Sequence, residues 1–236
     1  MSKFVLKPPL FLVGFKSYRE AVGQNAVKMA KMAAEVSKGT EVCVMIMPQT
    51  ADIYRIAQNV EIPILAQHVD PVPHGGYAAA VLAEAVKEAG AVGSLINHKD
   101  LKLKIQDLQR VVSRTREVGL ISAVCADSPE EAQMISLLNP DIIIPELPEL
   151  IGTKTAVTKA DTKFVTDSIR LIKKYGPKVL VAIGAGINTG DDAGAAIRLG
   201  ADGAGASKGI VTSENPMQTM KDMIYAIQRE WKARKE

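Results

Sequence analysis

Three polar residues fall directly after apolar runs: Lys16 after Leu12-Val13-Gly14-Phe15, His98 after Leu95-Ile96-Asn97, and Glu146 after Ile143-Ile144-Pro145. A carboxylate in a partly dry pocket can take a proton from the carbon beside a carbonyl, while a neutral imidazole polarises that carbonyl and moves a proton between its oxygens. The pair suits isomerisation, and an ammonium beside it neutralises a charged substrate. Two loops of small residues, Gly184-Ala185-Gly186-Ile187-Asn188 and Ser207-Lys208-Gly209, add the means to hold an anion. Glycine lets backbone amides approach closely, and amides at a helix N-terminus carry partial positive charge. The ligand read from these features is a small phosphate ester. Each feature also has a plainer reading: His98 as a polar residue at a helix start, Glu146 as a solvated loop acid, the glycine loop as a tight turn. Their shared position at the ends of apolar runs favours chemistry.

The elements that must position these residues repeat eight times. Apolar β-runs are predicted at 10–14, 41–47, 62–68, 91–97, 120–125, 141–145, 178–183 and 202–206. Most are continuous rather than alternating, as expected of parallel strands covered on both faces. Helices are predicted near 17–37, 50–59, 79–89, 101–118, 129–138, 162–175, 190–199 and 216–234. Ser17-Tyr18-Arg19-Glu20 has the form of a capping box and places the first helix start near Ser17. Ser128-Pro129-Glu130-Glu131 caps another helix, and Gly90, Gly119 and Gly200 supply left-handed stops. Eight strand-helix units in 236 residues is the stoichiometry of a closed (β/α)8 barrel. An open doubly wound sheet more usually stops at about five or six strands. The fold class is therefore α/β, with 1–236 forming one barrel domain whose chemistry lies at the C-terminal strand ends.

An apolar fraction of 47% suffices for one large core, and no linker or charge block divides the chain. The formal charge is +3, with 29 basic and 26 acidic residues interspersed and only 4% aromatics, so the basic stripe with stacking partners that marks nucleic-acid binding is missing. No apolar stretch approaches the roughly 18 residues of a membrane span, and the N-terminus lacks a signal-peptide pattern; the expectation is a cytoplasmic protein. Cys43 and Cys125 lie inside predicted strands and read as small buried hydrophobes. Three histidines without HxH or HExxH spacing argue against a metal site.

Pro8-Pro9-Leu10-Phe11-Leu12-Val13-Gly14-Phe15-Lys16-Ser17-Tyr18-Arg19-Glu20-Ala21, followed by Ala66-Gln67-His68-Val69-Asp70, the stretch 84–93, Asn97-His98, Pro148-Glu149-Leu150-Ile151-Gly152-Thr153 and Gly184-Ala185-Gly186-Ile187, resembles archaeal-type triosephosphate isomerase. The likeness runs in order over essentially the whole chain. It implies a TIM barrel of the glycolytic and gluconeogenic pathway that interconverts glyceraldehyde 3-phosphate and dihydroxyacetone phosphate, without metal or organic cofactor, as a homo-oligomer, tetramer or dimer. By the same resemblance, Lys16 neutralises substrate charge, His98 is the electrophile and Glu146 the base. Ile151 and Gly152 fall in a closing lid, Gly186 matches a phosphate-binding amide of the seventh loop, and Ser207 and Lys208 hold the two positions of the eighth loop.

Departures from the family pattern cluster in the site. Gly14 stands where the family has an asparagine whose amide helps hold the lysine and a substrate oxygen. Lys99-Asp100 replaces Ser-Glu, which offers Asp100 as a partner for Lys16 and sets a lysine near Glu146 unless that lysine points to water. Pro145-Glu146-Leu147 replaces Glu-Pro-Pro at the lid hinge, and Lys154 and Lys208 replace small residues around the phosphate seat. Three readings follow: the triosephosphate reaction, the same proton chemistry on another short sugar phosphate, or a barrel that binds a phosphorylated metabolite without turning it over.

Overall fold

The computed structural model describes residues 4–235. Eight parallel strands form its wall: β1 (Leu10–Gly14), β2 (Cys43–Met47), β3 (Leu65–Ala66), β4 (Gly93–Ile96), β5 (Ile121–Ala126), β6 (Ile142–Pro145), β7 (Leu180–Ile183) and β8 (Gly203–Ala206). Their order is β2-β1-β8-β7-β6-β5-β4-β3. The two free edges meet through one parallel bridge, Ile46 to Ile64, so the sheet curls into a nearly closed barrel.

Side-chain alternation explains the unbroken apolar runs. Leu10 and Leu12 of β1 join Met45, Met47, Ile142 and Ile144 inside the barrel, while Phe11 and Val13 face the surrounding helices. Both faces are buried, so neither needs polar residues. β8 is Gly203-Ala204-Gly205-Ala206 because β1 presses against it: a Cβ on Gly203 would lie 2.6 Å from the Leu10 Cβ.

The helical layer comprises α1 (Gln24–Ser37), α2 (Ile53–Ala57), α3 (Ala83–Glu88), α4 (Ile105–Val118), α5 (Pro129–Ser136), α6 (Val157–Ala160), α7 (Thr162–Tyr175), α8 (Gly190–Arg198), α9 (Lys208–Val211) and α10 (Pro216–Ala233). As expected, Ser128 Oγ accepts the Glu131 amide at 3.1 Å, and Gly90, Gly119 and Gly200 adopt positive φ at helix ends. The single-turn α6 and α9 are too short to leave a periodic signal. No helix among the described residues is long and apolar enough to cross a membrane.

The helix expected to start at Ser17 does not. Lys16 is left-handed at φ 48° and Tyr18 is extended, so only a 3-10 turn, Arg19–Ala21, forms before α1 begins at Gln24. The Gly23 amide is drawn instead to Asp52 Oδ2 at 2.8 Å. The expected 79–89 helix shortens to α3 because Asp70 holds Val81 extended, its amide donating to Val81 O at 2.9 Å and its carboxylate accepting from Val81 N at 2.7 Å. The expected 101–118 helix likewise begins at Ile105, behind a 3-10 turn at Lys99–Leu101.

Candidate active site

A cavity of about 260 Å³ opens at the C-terminal strand ends. It gathers all nine residues singled out above: Gly14, Lys16, His98, Glu146, Ile151, Gly152, Gly186, Ser207 and Lys208.

His98 and Glu146 face one another across it, with His98 Nε2 3.9 Å from Glu146 Oε2 and each side chain 13% exposed. The Asp100 amide donates to His98 Nδ1 at 3.5 Å, and Asp100 Oδ2 lies 3.1 Å from the same nitrogen. Asp100 has thus turned to the imidazole; the Lys16 pairing it was offered is not formed. Glu146 extends β6, its amide donating to Ala126 O at 2.9 Å. Its carboxylate lies against Gly184, where a Cβ would collide with Oε1. Beneath it the buried Cys125 thiol faces the carboxylate, and burial first, then that negative charge, hold the thiol's pKa well above its usual value.

The turn that presents His98 is built by Asn97, left-handed at φ 62°. Asn97 Nδ2 donates to Cys125 O and Glu131 Oε1, both at 3.0 Å, while its Oδ1 accepts the Leu103 amide at 2.9 Å. Glu131 also accepts the Asp127 amide at 2.6 Å and pairs with Lys102 at 2.8 Å, and Lys102 reaches Asp127 Oδ2 at 3.1 Å. Partial burial acts to raise the Glu131 pKa, but the Lys102 ammonium and the amides of Asp127 and Asn97 outweigh it and leave the carboxyl below its usual range. Burial opposes the charge on Lys102 too, yet the two carboxylates raise its pKa.

Lys16 owes its backbone to two glutamines: Gln49 Nε2 and Gln67 Nε2 both donate to Lys16 O at 3.1 Å, and Gln67 also reaches Met47 O at 2.9 Å. No carboxylate among the described residues lies within ion-pair distance of its ammonium, which leaves that charge for a ligand. Of the four described non-glycine residues with positive φ, Lys16, Asn97 and Ala185 line this cavity. Each conformation costs on the order of 1–2 kcal/mol, and such strain persists where surrounding contacts over-determine it.

At the other end, side chains from three loops hold carbonyls of the segment after β6. Lys99 Nζ donates to Pro148 O at 3.3 Å, Lys208 Nζ to Gly152 O at 3.2 Å, and Asn188 Nδ2 to Thr153 O at 3.2 Å. Lys99 therefore turns to the segment after β6, neither toward Glu146 nor out into water alone. Lys154 is exposed and does not line the cavity, so of the two added lysines only Lys208 lines it. Gly186, at φ 72°, lies so close beneath the lid's end that a Cβ would collide with Thr155 O.

Sequence reasoning missed the supports. Gln67 and Asn97 carry a signal, being polar residues at strand ends; Cys125 shows its place only once strand register turns it inward beside Ile144.

A parallel eight-stranded barrel that sets a carboxylate, an imidazole and an unpaired ammonium at its strand ends, beside glycine loops after β7 and β8, belongs to the (β/α)8 class built for small anionic ligands. The sequence model of the triosephosphate isomerase family matches residues 9–226. Over 223 residues the chain is 40% identical to a protein named triosephosphate isomerase from Methanobacterium bryantii, covering 94% of this chain and 99% of that one. Relatives of the same name from Sulfurisphaera tokodaii (41% over 219 residues; 93% and 95% covered) and Saccharolobus solfataricus (40% over 224 residues; 95% and 98%) agree. The chain belongs to the triosephosphate isomerase family.

Proposed function

We propose that Glu146 is the base, His98 the electrophile and proton carrier, and Lys16 the charge partner in the interconversion of glyceraldehyde 3-phosphate and dihydroxyacetone phosphate, the reaction of this family. The observation that carries these roles is the facing pair His98 and Glu146, 3.9 Å apart, in one cavity with an unpaired ammonium and the glycine loops. Glu146 takes a proton from the carbon bearing the hydroxyl. The Asp100 amide and carboxylate, both at Nδ1, hold the His98 ring so that Nε2 faces the substrate oxygens as charge develops there. Protonated Glu146 then returns the proton to the neighbouring carbon. Lys16 offsets the negative charge, and the amides of Gly152, Gly186 and Ser207 with the Lys208 ammonium hold the phosphate.

The chain acts in this reading as one barrel domain over 1–236, in the cytoplasm, as a homo-oligomer. Exposed Leu101, Ile105, Met134 and Leu137 around α4 and α5 support the last point. The test is a coupled isomerase assay on the parent and on Glu146→Gln. Loss of a positioned base should lower turnover by about 10²–10⁴-fold with an unchanged melting temperature. Equal turnover in the two proteins removes Glu146 from the role, and a parent that binds phosphoglycolate without turnover identifies a binding barrel.

A further inference from the structure

We infer that the Ser207 side-chain hydroxyl is the neutral donor to the triose oxygen in this chain, in place of the β1 side chain that Gly14 lacks. The inference deepens the isomerase reading and rests on it. Ser207 Oγ is buried and has no hydrogen-bond partner among the described residues. An orphaned buried hydroxyl costs about 1–3 kcal/mol, a cost removed when a ligand oxygen arrives.

Its surroundings say which oxygen. β1 and β8 pair with Val13 opposite Ala206, so Gly14 and Ser207 follow side by side. A Cβ on Gly14 would lie 3.3 Å from Ser207 Cβ, 3.5 Å from Ser207 Oγ and 3.6 Å from Met47 Cε. The hydroxyl thus borders the volume that a longer residue at position 14 would fill, on the β1 and β2 side leading to Lys16, away from Gly186. The neighbouring side-chain amides are committed, Gln67 to Lys16 O and Met47 O, Asn97 to Cys125 O and Glu131, and the Ser17 hydroxyl is exposed at the rim. Ser207 has the one buried uncommitted hydroxyl in the cavity lining. Its backbone amide remains with the eighth loop for the phosphate, so one residue meets both parts of the ligand through different groups.

Kinetics and inhibition of the parent, Ser207→Ala, Gly14→Asn and the double variant provide the test, with melting temperatures confirming that each folds. Ser207→Ala should lower kcat/KM about tenfold, as expected for one lost hydrogen bond. It should weaken phosphoglycolate, which carries a carboxylate where the triose has its oxygens, and leave inhibition by inorganic phosphate unchanged. Gly14→Asn should restore activity in the Ser207→Ala background, where its amide supplies the missing donor, and do less in the parent, where the Ser207 hydroxyl already fills that role. Parental kinetics in Ser207→Ala, equal weakening of both inhibitors, or identical effects of Gly14→Asn in the two backgrounds overturns the inference. A parent without turnover overturns the isomerase reading instead, and the two inhibitors still report on Ser207 by binding.

Discussion

At the end of the cavity proposed for proton transfer, Glu146 and His98 are set by short, crowded contacts: the Gly184 backbone under the carboxylate, Cys125 beneath it, and the Asn97 turn tied to β5 and α5. At the end proposed for the anion, the carbonyls of Pro148 and Gly152 hang on the long stems of Lys99 and Lys208. The difference suits the roles proposed for the two ends. Proton transfer fails when its groups are displaced by about 1 Å, whereas a lid must release and re-form its contacts at each turnover. Exposed ammonium–carbonyl contacts can be exchanged for water or phosphate at little cost.

Two glycines, two residues apart, test that contrast most sharply. Gly184→Ala meets only the tip of the Glu146 side chain, so the protein should keep its melting temperature while kcat falls about 10²-fold. Gly186→Ala meets the Thr155 backbone at a positive φ and should instead cost about 2 kcal/mol of stability in denaturant titration. Wild-type turnover in the first variant, or an unperturbed midpoint in the second, breaks the distinction.

Glu131→Gln probes the frame behind His98. The variant should lose about 1 kcal/mol, discounted for partial exposure of the Lys102 pair. Because Glu131 is held below its usual value of 4.5, its contribution is complete above that pH and disappears as pH falls through the lowered native value. Lys102, raised above 10.5, contributes fully below that pH and loses its share as pH rises through the raised value. The gap between parent and variant should therefore be flat near neutrality and close in acid. A gap that widens in acid contradicts the assignment. The smallest effect is expected for Lys208→Met: KM up about two- to fivefold with kcat retained, the difference shrinking as salt is added. A kcat loss as large as that of Gly184→Ala would show that the two ends are not held differently.

Much of this was legible in the sequence. β1 and α7 have the predicted bounds because a strand buried on both faces and a helix ended by glycine leave local signals. Lys16, His98 and Glu146 could be singled out from residue type and position after apolar runs, and the fold brings the three to one cavity. The Ser17 cap misled because its pattern is local, while Lys16 is turned left-handed by Gln49 and Gln67, distant in sequence. The partners of Lys99 and Lys208 lie 49 and 56 residues away, and a flexible side chain carries no record of its distant partner.

The two glutamines that grip the Lys16 carbonyl have one more consequence. Between β2 and β3 the backbone ladder is reduced to a single bridge; Gln67 crosses that seam to Met47 O and meets Gln49, from the β2 side, at Lys16 O. Lys16 is thereby stitched into the weakest join of the wall, so a loosening barrel should lose its grip on that charge before it loses its shape.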